Sequence, residues 1–356
     1  MKFITKEQRG ITMPYTVYST EKLRKSAADF ETKALLYLMN FRNDSDEIHY
    51  FVIDFLNDLT GMDRYASKMW DLQSKGAKNN SPKQIGKELV TLYKNYISDF
   101  EFDFYILFVG GVSTGLRVDD TKLSFGISNV KPSAKNKLIL GLKEEAKDKE
   151  YVKNSCITDE KIESFLEKVL FVIDNKESIE YVKEIVKGHT KIIPEEKVLQ
   201  IIFNEIRNKQ SEKKNILVEG ITINTTGEVI EYSKHLTNSE IRLMALERII
   251  NWNPLNRNLP TSFVPIYNRW PPESQRTNLD NCQQTLCRAL FNKTNADEFW
   301  QLFERIYEII ISTPTKSINE IYDDIDIDLK EANCDFDIIS LKYYISVIKD
   351  GIHSGN

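Results

Sequence analysis

The stretch from Tyr50 to Phe108 constrains the fold of this 356-residue chain most strongly. It opens with FVIDFLNDLTGMD, an alternating apolar run with two aspartates, and continues with MWDLQSKG, a second apolar run with a polar end. The segment SPKQIGKELVTLYKNYIS follows, and the apolar FDFYILFVG closes the stretch. With a helix before it, this order of strands, helix and strand predicts an α/β sandwich rather than an all-helical bundle.

Hydrophobic spacing assigns the elements before the site. Apolar residues recur at helical intervals from Thr20 to Leu38, and Thr20 is a suitable cap. The segment from His49 to Leu59 alternates as one or two strands, which places Asp54 and Asp58 together on the face opposite the apolar one. A turn is predicted at Thr60–Gly61.

The next elements carry the polar residues of interest. A strand is predicted from Lys68 to Ser74, and a regular strand would point Gln73 and Lys75 the same way. Ser81–Pro82 has the preferred order of a helix start, a capping residue followed by proline. The segment from Phe102 to Val109 reads as a buried strand that ends at a glycine pair.

Helical spacing dominates from Lys131 onward. Helices are predicted over Glu160–Val172, Glu177–Lys187 and Glu195–Lys209. The polar run NKQSEKKN, Asn208 to Asn215, has nothing to bury and is predicted to separate two domains, 1–215 and 216–356. The second domain is predicted to be smaller and mostly helical, with a hairpin around Val218–Ile230, helices over Ser239–Ile250, Asp297–Ile311 and Ile338–Lys349, and an acidic segment over Ile318–Asp337.

Composition limits the function classes. The formal net charge is −5, so a nucleic-acid surface would have to be local. The four cysteines show no paired spacing, which favours a reducing cytoplasm. The N-terminus has no apolar core of signal-peptide length, and no apolar run approaches the roughly 18 residues of a membrane span. We therefore expect a cytoplasmic protein without a membrane partner.

Four side chains form the strongest chemical candidate: Asp54, Asp58, Gln73 and Lys75. Magnesium prefers oxygen ligands and is held by one or two carboxylates together with waters. A bound ion can polarise a phosphate oxygen and activate water, while a lysine ammonium offsets the charge that develops on phosphorus. The pattern thus predicts a phosphodiesterase site with Mg²⁺ or Mn²⁺; the alternative is a set of surface charges at strand edges.

Basic residues outnumber acidic ones between Arg64 and Lys94, in contrast to the rest of the chain. Such a local excess attracts a phosphate backbone. The residues predicted to bind nucleic acid are Lys68, Lys78, Lys83 and Lys87. The alternative is a solvated, lysine-rich helix face. For Glu31, inside the first predicted helix, the residue pattern alone favours a solvated position.

Taken in order, Phe30–Glu31, FVIDFLNDLT, WDLQSKG, SPKQIGKELVTLYKNY and FDFYILFVG resemble the PD-(D/E)XK-type effector nucleases of bacterial anti-phage systems. The resemblance is strongest to the DNA-cutting domain of CBASS effectors and to the Lamassu nuclease subunits (LmuA), and it covers roughly residues 20 to 210. It implies a restriction-endonuclease-like α/β sandwich with a helical extension.

Carried over by position, the resemblance assigns roles to five residues. Asp58 is the central metal ligand, Gln73 stands at the usual second-acid position, and Lys75 is the catalytic lysine. Asp54 and Glu31 are supporting acids, and Asp54 joins Asp58 and Gln73 as a metal ligand. Two departures are an amide at 73, where the wider superfamily prefers a carboxylate, and Asn57, where a second aspartate is expected.

The resemblance further implies an endonuclease that cuts double-stranded DNA as a defence effector. No pattern after Asn215 matches the cyclic-oligonucleotide receptor domain of CBASS effectors, which favours the Lamassu-like arrangement. There an SMC-like ATPase and a small accessory subunit hold the nuclease inactive until it is released and forms an active homo-oligomer. Two alternatives stay open: a catalytically inactive nuclease-fold interaction subunit, and a nuclease that acts on RNA.

Overall fold

The computed structural model describes residues 15–17, 25–193, 195–255 and 258–354. The chain forms two compact units that interleave along the sequence. The first comprises residues 1–177 and 207–237, and the second comprises 178–206 and 238–356. The sequence predicted a single division at Asn215, whereas the chain passes from one observed unit to the other three times.

The first unit contains the main sheet. Seven strands stand in the order β6-β7-β5-β4-β3-β2-β9, and a separate pair is formed by β1 and β8. The bounds are β1 Tyr15–Thr16, β2 Tyr50–Ile53, β3 Leu59–Met62, β4 Met69–Lys75, β5 Phe104–Val109, β6 Ser124–Phe125, β7 Val169–Ile173, β8 Thr222–Ile223 and β9 His235–Thr237. Strands β2, β3 and β4 form an antiparallel meander, and β4, β5 and β7 run parallel. The class is therefore α/β with a mixed sheet.

Helices cover both faces of this sheet. They are α1 Lys25–Asn40, α2 Pro82–Glu88, α3 Val90–Tyr96, α4 Pro132–Lys147, α5 Asp159–Leu166 and the short α8 Glu228–Glu231. On one face Phe108 of β5 packs against Phe30 of α1, with ring centroids 5.0 Å apart. On the other face Tyr105 of β5 meets Phe165 of α5 at 5.7 Å. Burial of β5 between two helical layers explains its continuous apolar run.

The second unit is helical. Its elements are α6 Ser178–Lys183, the first part of α7 Glu196–Lys214, α9 Asn238–Ile250, α10 Val264–Tyr267, α11 Pro272–Phe291, α12 Ala296–Ser312, α13 Ile318–Asp324, α14 Ile327–Ala332 and α15 Ile338–Ser354. Aromatic residues form much of its core, where Tyr344 stacks on Phe336 and on Phe299 with centroids 5.3 Å apart in each case. The predicted helices at α9, α12 and α15 are confirmed.

Local chemistry accounts for the helix that follows β4. The Ser81 hydroxyl accepts a hydrogen bond from the Gln84 amide, and Pro82 occupies the first turn, as predicted. The predicted single helix is divided at Leu89 into α2 and α3. Gly86 lets α2 approach α4 closely, because a Cβ at this position would lie 2.0 Å from the Leu138 carbonyl oxygen.

The hairpin between β2 and β3 corrects the predicted register. Asp54 and Asp58 do not share a strand face; they flank a tight turn in which the Asp54 amide donates to the Asp58 carbonyl at 3.1 Å. Asp54 has a φ of 48°, a left-handed conformation that aspartate tolerates better than most residues. The predicted turn at Thr60–Gly61 is wrong, since both residues lie inside β3 and pair with β4.

Three further predictions differ from the structure. Residues 169–173 form strand β7 rather than the end of a helix, in register with β5. The predicted hairpin after Val218 does not form, since β8 pairs with β1 and β9 pairs with β2. The polar run predicted as a linker is the end of helix α7, where Gln210 is buried and accepts from Thr32 at 2.9 Å. The predicted start of the first helix at Thr20 lies outside the described residues, and α1 is described from Lys25.

Candidate active site

Asp58 is anchored at the C-terminal end of β4. It immediately precedes β3, and because Leu59 pairs with Leu72, Asp58 lies beside Gln73. One carboxylate oxygen, Oδ2, accepts from Gln73 Nε2 at 2.9 Å, from the Ser74 amide at 3.0 Å and from Ser74 Oγ at 3.1 Å. Three donors on one oxygen fix the orientation of this carboxylate. The structure thus brings together two of the predicted site residues.

Gln73 is held from both sides. Its Oε1 accepts a hydrogen bond of 2.6 Å from the Thr91 hydroxyl of α3, while its Nε2 donates to Asp58. Only 2% of Gln73 is exposed. Because both ends of the amide are engaged, helix α3 sets its position relative to the acid.

Lys75 extends from the end of β4, two residues after Gln73. Its ammonium lies 3.7 Å from the Glu88 carboxylate at the end of α2. Gln73 and Lys75 line a cleft of about 200 Å³, together with Lys87, Thr91 and Tyr151 among others. A smaller adjoining cleft is lined by Asp54, Asn57, Asp58, Thr91, Lys94 and Tyr151. Since Thr91 and Tyr151 line both clefts, the cleft of the acids and the cleft of Lys75 are neighbours.

Glu31 of α1 is buried, which excludes the solvated position favoured by its local sequence. Its carboxylate pairs with the Lys214 ammonium of α7 at 2.7 Å. Burial raises the pKa of Glu31 to about 7, against the lowering effect of Lys214, and the charges of Asp58 and Asp54 raise the pKa further. The three acids therefore lie close enough to interact electrostatically.

Asp54 faces a second lysine from late in the chain. Its carboxylate is 4.0 Å from the ammonium of Lys234, just before β9, and the Lys234 side chain is only 3% exposed. Lys234 also donates to the carbonyl oxygens of Lys214 and Ile216 at 3.2 and 2.7 Å. Two lysines of the segment 214–234 thus offset the charge of the acids on α1 and on the hairpin turn.

A buried polar network lies beneath the turn. Asp71 of β4 has no exposed surface and accepts from Asn95 Nδ2 at 2.8 Å. Burial raises the pKa of Asp71 to about 7, although the bond from Asn95 and the charge of Lys94 act in the opposite direction. Burial lowers the pKa of Lys94 to about 8. Tyr15 of β1 completes the network by donating to Asn95 Oδ1 at 2.7 Å.

The lysines predicted to bind nucleic acid occupy different places. Lys87 lines the cleft beside Lys75, and Lys78 is exposed in the loop after β4. Lys68 lies at the opposite end of β4, seven residues from Lys75 and hence roughly 23 Å away, where it pairs with Glu47 at 2.6 Å. It therefore lies outside this cleft.

Acids from α4 also reduce the local positive charge. Lys83 pairs with Glu144 at 2.8 Å, and Lys87 lies 3.9 Å from Glu145. The sequence count around the site missed this compensation because α4 is distant in the chain.

Sequence reasoning also missed Thr91, Asp71, Lys94, Lys214 and Lys234 as contributors to the site. For Lys94 a signal existed, because Thr91 and Lys94 are three residues apart on a helix and therefore share one of its faces. For Lys214 and Lys234 the sequence carries no local signal, because the contacts join segments about 180 residues apart.

The predicted magnesium or manganese ion needs a set of oxygen donors. Among the residues that the structure describes, no three acidic, histidine or cysteine side chains are grouped closely enough to hold a metal. Magnesium needs only one or two carboxylates besides its waters, however, and Asp54 and Asp58 line the same cleft as hard oxygen donors. The residues present therefore fit a magnesium or manganese ion bound largely through water.

Comparisons with protein families, with curated proteins and with solved structures return no match for this chain. Within the described ranges, none of the helices combines the length and apolar character needed to cross a bilayer.

Proposed function

We propose that this protein is a metal-dependent endonuclease with a restriction-endonuclease-like core, acting on double-stranded DNA. The observation that carries the proposal is the triple anchoring of Asp58 beside Gln73, with Lys75 two residues further along the same strand. The order of α1, the antiparallel meander β2–β4, the helices α2 and α3, and the parallel strand β5 supports the assignment of the core.

Asp58 and Asp54 would hold the ion, whereas Gln73, the third predicted ligand, turns its Nε2 toward Asp58 and engages its Oε1 with Thr91. The ion supplies Lewis-acid polarisation of the phosphate and a more acidic bound water. Gln73 fixes the orientation of Asp58 through its amide, and Thr91 fixes Gln73 in turn. Lys75, which lines the neighbouring cleft, would supply a positive charge that offsets the charge developing on phosphorus.

The buried Glu31 compensates for the amide at position 73. A site with Gln73 has one carboxylate fewer than the wider superfamily prefers, and Asn57 does not replace it. Above its pKa of about 7, Glu31 adds a third negative charge near Asp58 and Asp54, which the Lys214 ammonium partly offsets. In this proposal Glu31 acts as a supporting acid that raises the affinity of the site for a divalent cation.

The biological role extends this proposal. The enzyme would be cytoplasmic and would act as the effector of an anti-phage defence system of the Lamassu type. An SMC-like ATPase and a small accessory subunit would keep it inactive, and release with homo-oligomerisation would activate it. The helical second unit offers the surface for these partners.

A catalytically inactive interaction subunit is the second candidate. The observation that favours it is the pairing of acids with lysines of the same chain, Glu31 with Lys214 and Asp54 with Lys234. These cations compete with a metal for the same carboxylates. A nuclease that acts on RNA uses the same backbone chemistry and is a third outcome of the test.

Cleavage of a supercoiled plasmid and of a structured RNA distinguishes these candidates. The protein is incubated at several concentrations with Mg²⁺, Mn²⁺ or EDTA, together with the variants Asp58→Asn and Lys75→Met. We expect metal-dependent cutting of DNA that both substitutions abolish while the melting temperature stays close to that of the wild type. DNA cutting that survives both substitutions refutes the site, and absence of cutting at every concentration with both metals favours the inactive subunit.

A further inference from the structure

Lys94 occupies an unusual position for a lysine on an amphipathic helix. Its ammonium donates to the carbonyl oxygen of Leu56 at 3.2 Å. Leu56 is the middle residue of the turn that carries Asp54 and Asp58 at its two ends. Lys94 also lines the cleft that contains both acids. The ammonium is therefore tied to the backbone of the very turn that presents the predicted metal ligands.

The surroundings of Lys94 hold it in place. Its ammonium lies 5.2 Å from the ring centre of Tyr15 and 5.8 Å from that of Tyr151. Asp71 is fully buried in the adjacent network and provides a negative charge near Lys94. Burial lowers the pKa of Lys94 to about 8, whereas both tyrosine faces and the Asp71 carboxylate favour the charged form. The fold therefore holds the Lys94 ammonium in a fixed position.

Stability alone does not account for this arrangement. Removing two charges from water costs several kcal/mol per ion, and replacing a buried pair by apolar residues of similar volume is often neutral or stabilising. Buried charges that line a cleft are instead common at functional sites. The Lys94 ammonium can bind an anionic ligand, and Asp54 and Asp58 in the same cleft can bind the metal cation that accompanies it.

We propose that Lys94 contacts a non-bridging oxygen of the scissile phosphodiester, as a second ammonium group in addition to Lys75. This inference rests on the proposed nuclease function and names a further catalytic residue for it. Lys94 keeps its proton throughout: it donates a hydrogen bond to the phosphate and forms no covalent bond. Lys75 lines the neighbouring cleft, and Thr91 and Tyr151 line both clefts.

Two substitutions separate this role from a structural one. In Lys94→Gln the positive charge is lost, while a shorter polar side chain that can still donate a hydrogen bond remains. In Lys94→Arg the charge is retained with a different shape. Lys168→Met is the matched control, because Lys168 also lies over a tyrosine ring, that of Tyr96 at 5.3 Å, yet lines neither cleft.

Steady-state cleavage of an oligonucleotide duplex with Mg²⁺ gives kcat and KM for each variant, and thermal unfolding reports the fold. We expect Lys94→Gln to lower kcat by about 100-fold or more, the usual effect of removing one preorganised donor, with a KM within about threefold of wild type. Lys94→Arg should retain at least about a tenth of the wild-type kcat, and Lys168→Met should match the wild type.

Three results would overturn the inference or part of it. A Lys94→Gln protein with wild-type kcat refutes the role of Lys94 and leaves the proposed function intact. A wild-type protein that cleaves no phosphodiester with either metal refutes both. Lys94→Gln could fail to fold because Asp71 loses its neighbouring cation, and the double variant Lys94→Gln/Asp71→Asn then removes both charges. The double variant should show the same loss of kcat. A kcat equal to that of the wild type refutes the role of Lys94.

Discussion

The buried carboxylate of Glu31 should make the stability of the protein depend on pH. Its pKa is raised from 4.5 to about 7, chiefly by burial. The folded protein therefore holds the proton more tightly than the unfolded chain, so protonation stabilises the fold. This stabilisation is fully present below pH 4.5 and is lost as the pH rises through 7. A tenfold difference in proton affinity is about 1.4 kcal/mol, so the whole effect is about 3 kcal/mol.

The substitution Glu31→Gln removes this titration. Between pH 5 and pH 8 the wild type should lose about 2 to 3 kcal/mol of unfolding free energy that the variant retains. Contributions from other groups, such as Asp71, occur in both proteins and cancel in the comparison. The matched control is Asp29→Asn on the same helix, whose carboxylate pairs with Arg207 at 2.8 Å and is 44% exposed.

Urea unfolding at pH 5, 6, 7 and 8 in EDTA measures the effect. The difference in unfolding free energy between Glu31→Gln and the wild type should shift in favour of the variant by about 2 to 3 kcal/mol from pH 5 to pH 8. The difference in unfolding free energy between Asp29→Asn and the wild type should change little over the same pH range. The burial of Glu31 near Asp58 and Asp54 is refuted if the difference in unfolding free energy between Glu31→Gln and the wild type stays constant with pH to within about 0.5 kcal/mol.

Two further substitutions test the contacts around the site and the packing of the helices. Lys214→Met leaves Glu31 buried without its cation and should cost about 3 kcal/mol of unfolding free energy at pH 8, and less at pH 5; Lys213→Met is the control, and equal effects of the two in urea unfolding would contradict the pairing. Gly86→Ala pushes a methyl group onto a backbone carbonyl of α4 and should cost at least about 2 kcal/mol. Gly115→Ala, with open space around it, should cost less than about 1 kcal/mol, and equal melting temperatures for the two alanine variants would contradict the close helix packing.

Sequence reasoning succeeded where local chemistry decides the structure. The capped start at Ser81–Pro82 formed as predicted because a side-chain cap and a proline act within one helical turn. The strand that carries Gln73 and Lys75 was predicted to within one residue at each end, since it combines alternation with clear polar boundaries. These elements place the amide and the lysine on one strand.

Prediction failed where the decisive partner lies far along the chain. The segment VLFVI, residues 169–173, reads equally well as a buried helix or strand, and only its pairing with β5 decides. The segment 222–237 forms two short strands whose partners β1 and β2 precede them by more than 180 residues. The end of α7 looked like a linker because the residues that bind α1, the buried Gln210 and the partly buried Lys214, are polar.

The site residues show the same contrast between contacts that the local sequence indicates and contacts that it does not. Asp58 and Gln73 were both predicted as site residues, and the structure joins them directly. The acid Asp54 was placed on the wrong kind of element, since a left-handed residue in a turn interrupts the alternation. The compensating lysines at 214 and 234 were invisible to a local count of charges.

Binding of Mn²⁺, followed by electron paramagnetic resonance and by calorimetry, tests the central claim most directly. The wild type should bind one ion per chain with oxygen coordination, and Asp58→Asn should weaken binding at least about tenfold, because this carboxylate is the proposed main ligand. Asp174→Asn, which removes the partner of Lys33 on α1, should bind as the wild type does. Equal affinity of the wild type and Asp58→Asn, or cleavage of DNA in the absence of any bound divalent ion, would contradict the proposed site.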